Sequence, residues 1–264
     1  MTMLGVTFDT KLQMDGEVNV LTNETSWKLR NLLRTSRFFD TKSLVFLFKS
    51  RILGYVEYRT PAIYHATATS LHRLDGVYRM LLRAACLTEE EALLNFGLAP
   101  LNSRRDVAML GVIHRTVLGL GPKHFLKFIQ RADESNHPTG RVAMHSHDKQ
   151  LRSYRTGNFL QMIAHSILGA IDVYNLLPQY VIAAMDVSTF QNRLQQILKV
   201  AARDRVTGWT TILSNRHWMF RHPLLDFSGF KGMESMAKGD NKDGGVKRDD
   251  AHTCIEGRIN FGNG

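Results

Sequence analysis

Residues 27–37 read Trp-Lys-Leu-Arg-Asn-Leu-Leu-Arg-Thr-Ser-Arg, and this stretch separates apolar from basic side chains. Its leucines recur at the i, i+3, i+4 spacing of a buried helical stripe, while its arginines fall on the other side. Asn23 or Thr25 is placed to cap such a helix. We therefore predict an amphipathic helix whose exposed face carries Arg30, Arg34 and Arg37.

A second basic helix is predicted directly after the first. Asp40 or Thr41 is placed to cap it, and apolar residues recur at helical spacing from Leu44 onward. Its outward basic residues are Lys42, Lys49 and Arg51. Between residues 27 and 51, seven basic residues face one acidic residue, a local balance of +6.

The basic excess of the chain lies before residue 230. The net charge is +10 and the isoelectric point about 9.8, whereas residues 230–264 hold six basic and six acidic residues. A field of this sign favours a polyanionic partner, and nucleic acid is the commonest one. The alternative is the ordinary solvated surface of a basic protein.

Further helices are predicted along the chain. One begins at Thr69 or Ser70 after an interruption at Pro61, and another begins with the acidic run 89–91 and ends at Gly97. A helix from about Ser103 to Val117 follows, and two more are expected over 159–171 and 187–202. The N-terminal run 3–9 is β-prone and is expected to end in a turn near residues 15–16.

Composition excludes several classes of protein. With 264 residues, 44% of them hydrophobic, the chain is globular rather than fibrous or disordered. Cys86 and Cys254 stand far apart, which excludes a disulfide scaffold and a four-thiolate metal site and indicates an intracellular location. The longest apolar runs are far shorter than the roughly 20 residues of a membrane-spanning helix, so no membrane partner is expected.

Candidate catalytic groups are scarce. Asp249 and Asp250 form an acidic pair that suits magnesium, but they lie in a glycine-rich, polar tail. His145 and His147 alternate as metal ligands on a strand do, but a second ligand pair is missing and a solvated loop is the favoured interpretation. No nucleophile paired with a base can be identified.

Several segments, taken in order, resemble the region that follows the catalytic palm in jockey-like non-LTR retrotransposon reverse transcriptases, which are RNA-directed DNA polymerases. No single segment is specific, and the collinear order over about residues 4–200 carries the resemblance. The segments are Leu4-Gly5-Val6-Thr7-Phe8-Asp9, Phe48-Lys49-Ser50-Arg51-Ile52-Leu53, Glu57-Tyr58, Leu74-Asp75, Leu81-Leu82-Arg83, Gly97-Leu98-Ala99-Pro100-Leu101, Arg104-Arg105 and Tyr174-Asn175-Leu176-Leu177-Pro178.

The resemblance implies a last palm strand followed by a helical thumb that holds the template–primer duplex by its backbone. It also implies that the catalytic aspartates and their magnesium belong to a palm that would precede Met1. We therefore expect the chain to contain no cofactor, to be inactive alone and to pair with such a palm.

We thus predict a mainly α fold: a helical thumb-like bundle with a short N-terminal β element and a disordered C-terminal tail. The predicted units are an end-of-palm strand region 1–22, a thumb-like basic domain 23–131, a surface connection 132–157, a C-terminal helical region 158–228 and a tail 229–264.

The predicted activity is binding of an RNA or RNA–DNA duplex without sequence preference, through phosphate contacts. The rival interpretations are a helical protein-interaction scaffold or a degenerate transposon remnant with no selected activity. The residues predicted to contact phosphates are Lys28, Arg30, Arg34, Arg37, Lys49, Arg51, Arg79, Arg83, Arg104 and Arg105.

Overall fold

The computed structural model describes residues 2–3, 5–10, 13–132, 147–154, 160–216 and 221–230. As predicted, the described chain is mainly helical. Its N-terminus forms an antiparallel pair of short strands, β1 (Thr2–Met3) and β2 (Val6–Thr7), with Thr2 opposite Thr7. None of the described helices is both long and apolar enough to cross a membrane.

The helices follow the strands in an order close to the predicted one. They are α1 (Asp15–Arg34), α2 (Thr41–Phe48), α3 (Gly54–Ile63), α4 (Ala68–Ala85), α5 (Glu89–Phe96), α6 (Leu101–Val117), α7 (Leu160–Ala164), α8 (Ala170–Leu176), α9 (Gln179–Ile182) and α10 (Val187–Arg203). A π-helical segment, Lys49–Leu53, joins α2 to α3 without a break.

Helix α1 begins at Asp15, so the predicted start at Asn23 or Thr25 and the predicted turn at residues 15–16 are wrong. Met14, in the left-handed region with φ 60°, turns the chain into the helix. The Asp9 carboxylate accepts the backbone N–H of Gln13 and of Met14, each at 2.9 Å. Because Asp9 lies before the helix, the spacing of apolar residues within the helix did not reveal this start. Helix α1 also runs through the predicted boundary between the units 1–22 and 23–131.

The helix starts show which caps the chain uses. Asp40 caps α2, as predicted, by accepting the N–H of Ser43 at 3.0 Å. The predicted cap of α4 at Thr69 or Ser70 is wrong, because Thr67 occupies that position. Helix α5 has its predicted bounds, with a capping box at Thr88 and Gly97 in the left-handed region at φ 59°.

Three other predicted bounds differ from the structure. Pro61 lies inside the last turn of α3, which ends at Ile63, so the proline does not stop the helix where it stands. Helix α6 starts at Leu101 rather than Ser103. The helix expected over 159–171 is divided into α7 and α8 by turns over 165–169, where Gly169 packs so closely on Ile163 and Ala164 that a Cβ atom would collide with them.

Two apolar cores lie along the described chain. The first is formed by β2 and α1–α5, with Leu101 at its end, and the second by α6, α8, α10 and the segments that follow α10. They meet at α5 and α6, where Ala92 belongs to the first core and Leu93 to the second. This meeting point lies earlier in the chain than the predicted connection at 132–157.

The described part of that connection, 147–154, packs partly into the second core rather than lying wholly on the surface. Leu151 is 3% exposed in the second core, and its backbone N–H and C=O both bond the Asn175 side chain. His147 is also buried, with Nε2 3.2 Å from the Tyr174 carbonyl oxygen, so the solvated interpretation is wrong for this histidine. Residues 133–146, which include the candidate metal ligand His145, and residues 155–157 lie outside the described residues.

The predicted C-terminal tail from 229 begins too early. Phe230 is buried in the second core, with its ring edge-on to Phe227 at 5.0 Å between centroids. Residues 231–264, including Cys254 and the Asp249–Asp250 pair, lie outside the described residues.

Candidate nucleic-acid interface

Helix α1 turns one face to the first core and the other to solvent. Its buried stripe is Val18, Leu21, Thr25 and Leu29. Trp27, Arg30 and Arg34 follow one another at three and four residues on the opposite face, and all three are exposed. The exposed positions of Arg30 and Arg34 are as predicted, but Arg37 lies beyond the end of α1, in the 3-10 turn Ser36–Phe38.

A groove of about 450 Å³ runs between the C-terminal half of α1 and the α2–π segment. We call it the α1–α2 groove. Two cationic side chains and no carboxylate line it, together with two aromatic rings and an apolar floor. The lining residues are Trp27, Lys28, Asn31, Leu32, Thr35, Phe39, Leu47, Arg51 and Ile52.

Cations at and around this groove are available to a partner. Arg30, Arg34 and Arg51 are exposed, and none of their side chains makes a hydrogen bond or ion pair with any residue that the structure describes. Arg37 is exposed too and lies over the Phe38 ring, with Cζ 4.8 Å from the centroid. Lys42, on the first turn of α2, is likewise exposed.

Lys28 lines the groove but is partly engaged within the chain. Its Nζ lies 3.6 Å from the centroid of the Tyr55 ring, and the Arg59 guanidinium lies 4.2 Å from the same centroid. The Tyr55 hydroxyl donates to Glu24, and burial together with this carboxylate raises the pKa of Tyr55. The Tyr55 side chain, against which Lys28 packs, is thus held by Arg59 at its ring and by Glu24 at its hydroxyl.

The structure corrects the predicted set at Arg104 and Arg105. Arg105 is 5% exposed and gives both guanidinium nitrogens to the Asp75 carboxylate, at 2.7 and 3.0 Å. Arg104 is paired with Glu57, with Nε 2.6 Å from Oε1. A guanidinium already satisfied by a carboxylate has little to offer a phosphate, so we remove both from the set.

Two more predicted cations bond carbonyl groups of the chain. Lys49 donates to the Phe96 carbonyl at the C-terminal end of α5, and burial, helped by the charges of Arg104 and Lys199, lowers its pKa. Arg79 Nη2 lies 3.1 Å from the His72 carbonyl oxygen. Arg83 stays exposed on α4 but does not line the groove.

The ten predicted residues therefore do not form one ridge. Lys28 and Arg51 line the α1–α2 groove, Arg79 and Arg105 line a second cavity, and Arg104 lines a third. Periodicity within each helix was sufficient to find the exposed arginines of α1. Periodicity carried no information on which helices pack together, so it could not show that the predicted cations are divided among the α1–α2 groove and two other cavities.

The second cavity, of about 310 Å³, lies between α4 and α6 and holds a buried polar network. The Tyr64 hydroxyl donates to Asp106 Oδ1 at 2.9 Å, and the Arg216 guanidinium lies 4.7 Å from the Tyr64 ring centroid. Burial raises the pKa of Asp106 to about 6, against the opposing effect of the Tyr64 hydrogen bond and of the Arg216 and Arg105 charges. The sequence prediction did not include Tyr64, Asp106 or Arg216.

The described residues offer no evident metal centre. Nowhere among them do three His, Cys, Asp or Glu side chains come together in a way that would hold a metal ion.

No protein-family model, curated protein or solved structure matches this chain.

Proposed function

We propose that the chain binds nucleic acid through the α1–α2 groove and the arginines around it, without reading sequence. One observation carries the proposal: Arg30, Arg34 and Arg51 are exposed and make no ion pair within the described chain, beside a groove with no carboxylate in its lining. Guanidinium groups in this state can each meet a backbone phosphate and release a condensed counterion.

The resemblance to the region after the palm of non-LTR reverse transcriptases supports this proposal and suggests the partner. In that family the thumb holds a template–primer duplex, and an RNA or RNA–DNA duplex is the corresponding partner here. Pairing with a palm and an intracellular location belong to the same proposal.

A salt titration tests the proposal. A fluorescent RNA–DNA hybrid would be titrated with the full chain at several salt concentrations, and the logarithm of the affinity plotted against the logarithm of the salt concentration. Replacement of Arg30, Arg34 and Arg51 by alanine should make the slope shallower by about 3, one for each phosphate contact.

The control variant removes the same charge elsewhere. Lys127, Arg131 and Arg152 are exposed and do not line the groove, so their replacement by alanine should leave the slope nearly unchanged. Affinity that does not weaken with salt, or an equal loss in both triple variants, would refute binding by this surface.

A protein-interaction scaffold is the second candidate, and one observation favours it. A mostly apolar groove of about 420 Å³ lies between α3 and α6, with Pro61, Met109, Val112 and Phe125 in its lining. A scaffold of this kind predicts no salt-dependent affinity for nucleic acid, so the same titration separates the two candidates.

A further inference from the structure

We infer that the α1–α2 groove takes an unpaired nucleobase, so that the chain prefers single-stranded nucleic acid to a blunt-ended duplex. The inference rests on the proposed function and names the form of nucleic acid that the groove fits. It departs from the duplex that the resemblance suggests.

Aromatic rings are unusually open to solvent in this part of the molecule. Trp27 is 65% exposed and Phe39 is 40% exposed, and both line the groove. Neither ring is needed to close the first core, to which neither belongs. Proteins that bind single strands place aromatic rings beside cations, because every base offers a flat face on which a ring can stack.

The other walls of the groove also suit a base. Leu32, Leu47 and Ile52 give it an apolar floor. Asn31 lies one turn after Trp27 and lines the same groove, and its amide can both donate to and accept from the edge of a base. The volume of about 450 Å³ falls within the range of small-ligand sites, so a base with its sugar can enter.

The cations are placed for the phosphates on either side of that base. Arg51 and Lys28 line the groove itself, while Arg30 and Arg34 stand one turn apart on the exposed face of α1. A single strand can place a base in the groove beside Trp27 and Phe39 and lay its backbone along these cations. A duplex keeps its bases stacked inside the helix, so only its phosphates can reach the groove.

Matched ligands and variants test the inference. The full chain would be titrated with a labelled single strand, with its blunt duplex and with an abasic strand of the same length. Trp27→Ala should weaken binding of the base-bearing strand about tenfold, which is within the effect of removing one stacking partner. It should leave the duplex and the abasic strand unaffected, since both meet only the cations.

Phe46→Ala supplies the control for loss of an exposed ring. Phe46 lies on α2 and is 67% exposed, but it does not line the groove, so this variant should bind all three ligands as the unchanged chain does. Trp27→Phe should keep most of the affinity for the single strand, because it keeps a ring. Equal thermal melting of the variants would show that the fold is intact.

The outcomes separate the inference from the proposed function. If the duplex binds in a salt-dependent manner through Arg30, Arg34 and Arg51 but Trp27→Ala has no effect on the single strand, the inference is refuted and the proposed function stands. If none of the three ligands shows salt-dependent binding, both are refuted. An acidic amphipathic peptide would also be tested as a competitor. If it displaces the abasic and the base-bearing strand alike, and Trp27→Ala abolishes this competition, the inference is overturned in favour of a protein partner.

Discussion

At the residue scale, one buried ion pair connects the N-terminal elements. Arg59 on α3 lies 3.0 Å from Glu17 on α1, with side chains 10% and 3% exposed. Glu17 also accepts the backbone N–H of Thr7 on β2, and Arg59 reaches the Gly5 carbonyl. Removing one partner of such a pair leaves a charge buried without compensation.

Glu17→Gln should therefore lower the free energy of unfolding by about 3 kcal/mol, measured by urea denaturation. Glu24→Gln is the matched control, because Glu24 is 44% exposed and its oxygen lies 3.9 Å from Arg59. That change should cost less than about 1 kcal/mol. Equal losses of unfolding free energy in the two variants would contradict a dominant contribution of the buried Glu17–Arg59 pair to stability.

Asp106 gives the chain a stability that depends on pH. Burial raises its pKa in the folded chain to about 6, above the ordinary value of 3.8. Between these two values the folded chain binds the proton more readily than the unfolded chain does. The contribution of Asp106 to stability is therefore most favourable below pH 4, is lost as the pH rises to about 6, and stays lost above it.

Asp106→Asn removes this titration and keeps an acceptor for the Tyr64 hydroxyl. The variant should gain stability relative to the unchanged chain as the pH rises from 4 to 7, by up to about 3 kcal/mol. Urea denaturation of both proteins at several pH values measures the difference. A difference that does not change with pH would contradict the raised pKa.

At the element scale, helical periodicity predicted helices more reliably than it predicted their ends. The stripes of α1, α2 and α4 were evident from spacing alone. The starts of α1 and α4 were not. Asp9, which lies outside the helix, fixes the start of α1, and the start of α4 involves a contact with a distant residue. The Thr67 hydroxyl that caps α4 also bonds Asp15 on α1, 52 residues away, at 3.3 Å.

Two threonines, the observed N-cap Thr67 and the predicted N-cap Thr69, allow a direct test of where α4 starts. Thr67→Ala should lower the free energy of unfolding by about 1 kcal/mol, because the N–H of Ser70 loses its acceptor. Thr69→Ala should change it by less than about 0.5 kcal/mol, since Thr69 is exposed on the first turn and does not cap. Denaturant unfolding of both variants decides which threonine is the cap.

At the scale of the whole molecule, the sequence predicted a basic helical protein but not how its cations are divided. The charge balance and spacing of residues 27–51 were sufficient to find Arg30, Arg34 and Arg51. The loss of Arg105 to Asp75 was not predictable, because it depends on how α4 packs against α6. The exposed ring of Trp27 had a weak signal in its position directly before the basic run that starts at Lys28, and only the fold places it at a groove.

Chemical footprinting of lysines tests nucleic-acid binding by this surface most directly. Lys28 lines the groove and is partly exposed, whereas Lys127 after α6 is exposed and does not line it. With a saturating single-stranded oligonucleotide, mass spectrometry should show slower acetylation of Lys28 and an unchanged rate at Lys127. Equal rates at Lys28 with and without the oligonucleotide, or protection at Lys127 instead, would contradict binding at the α1–α2 groove.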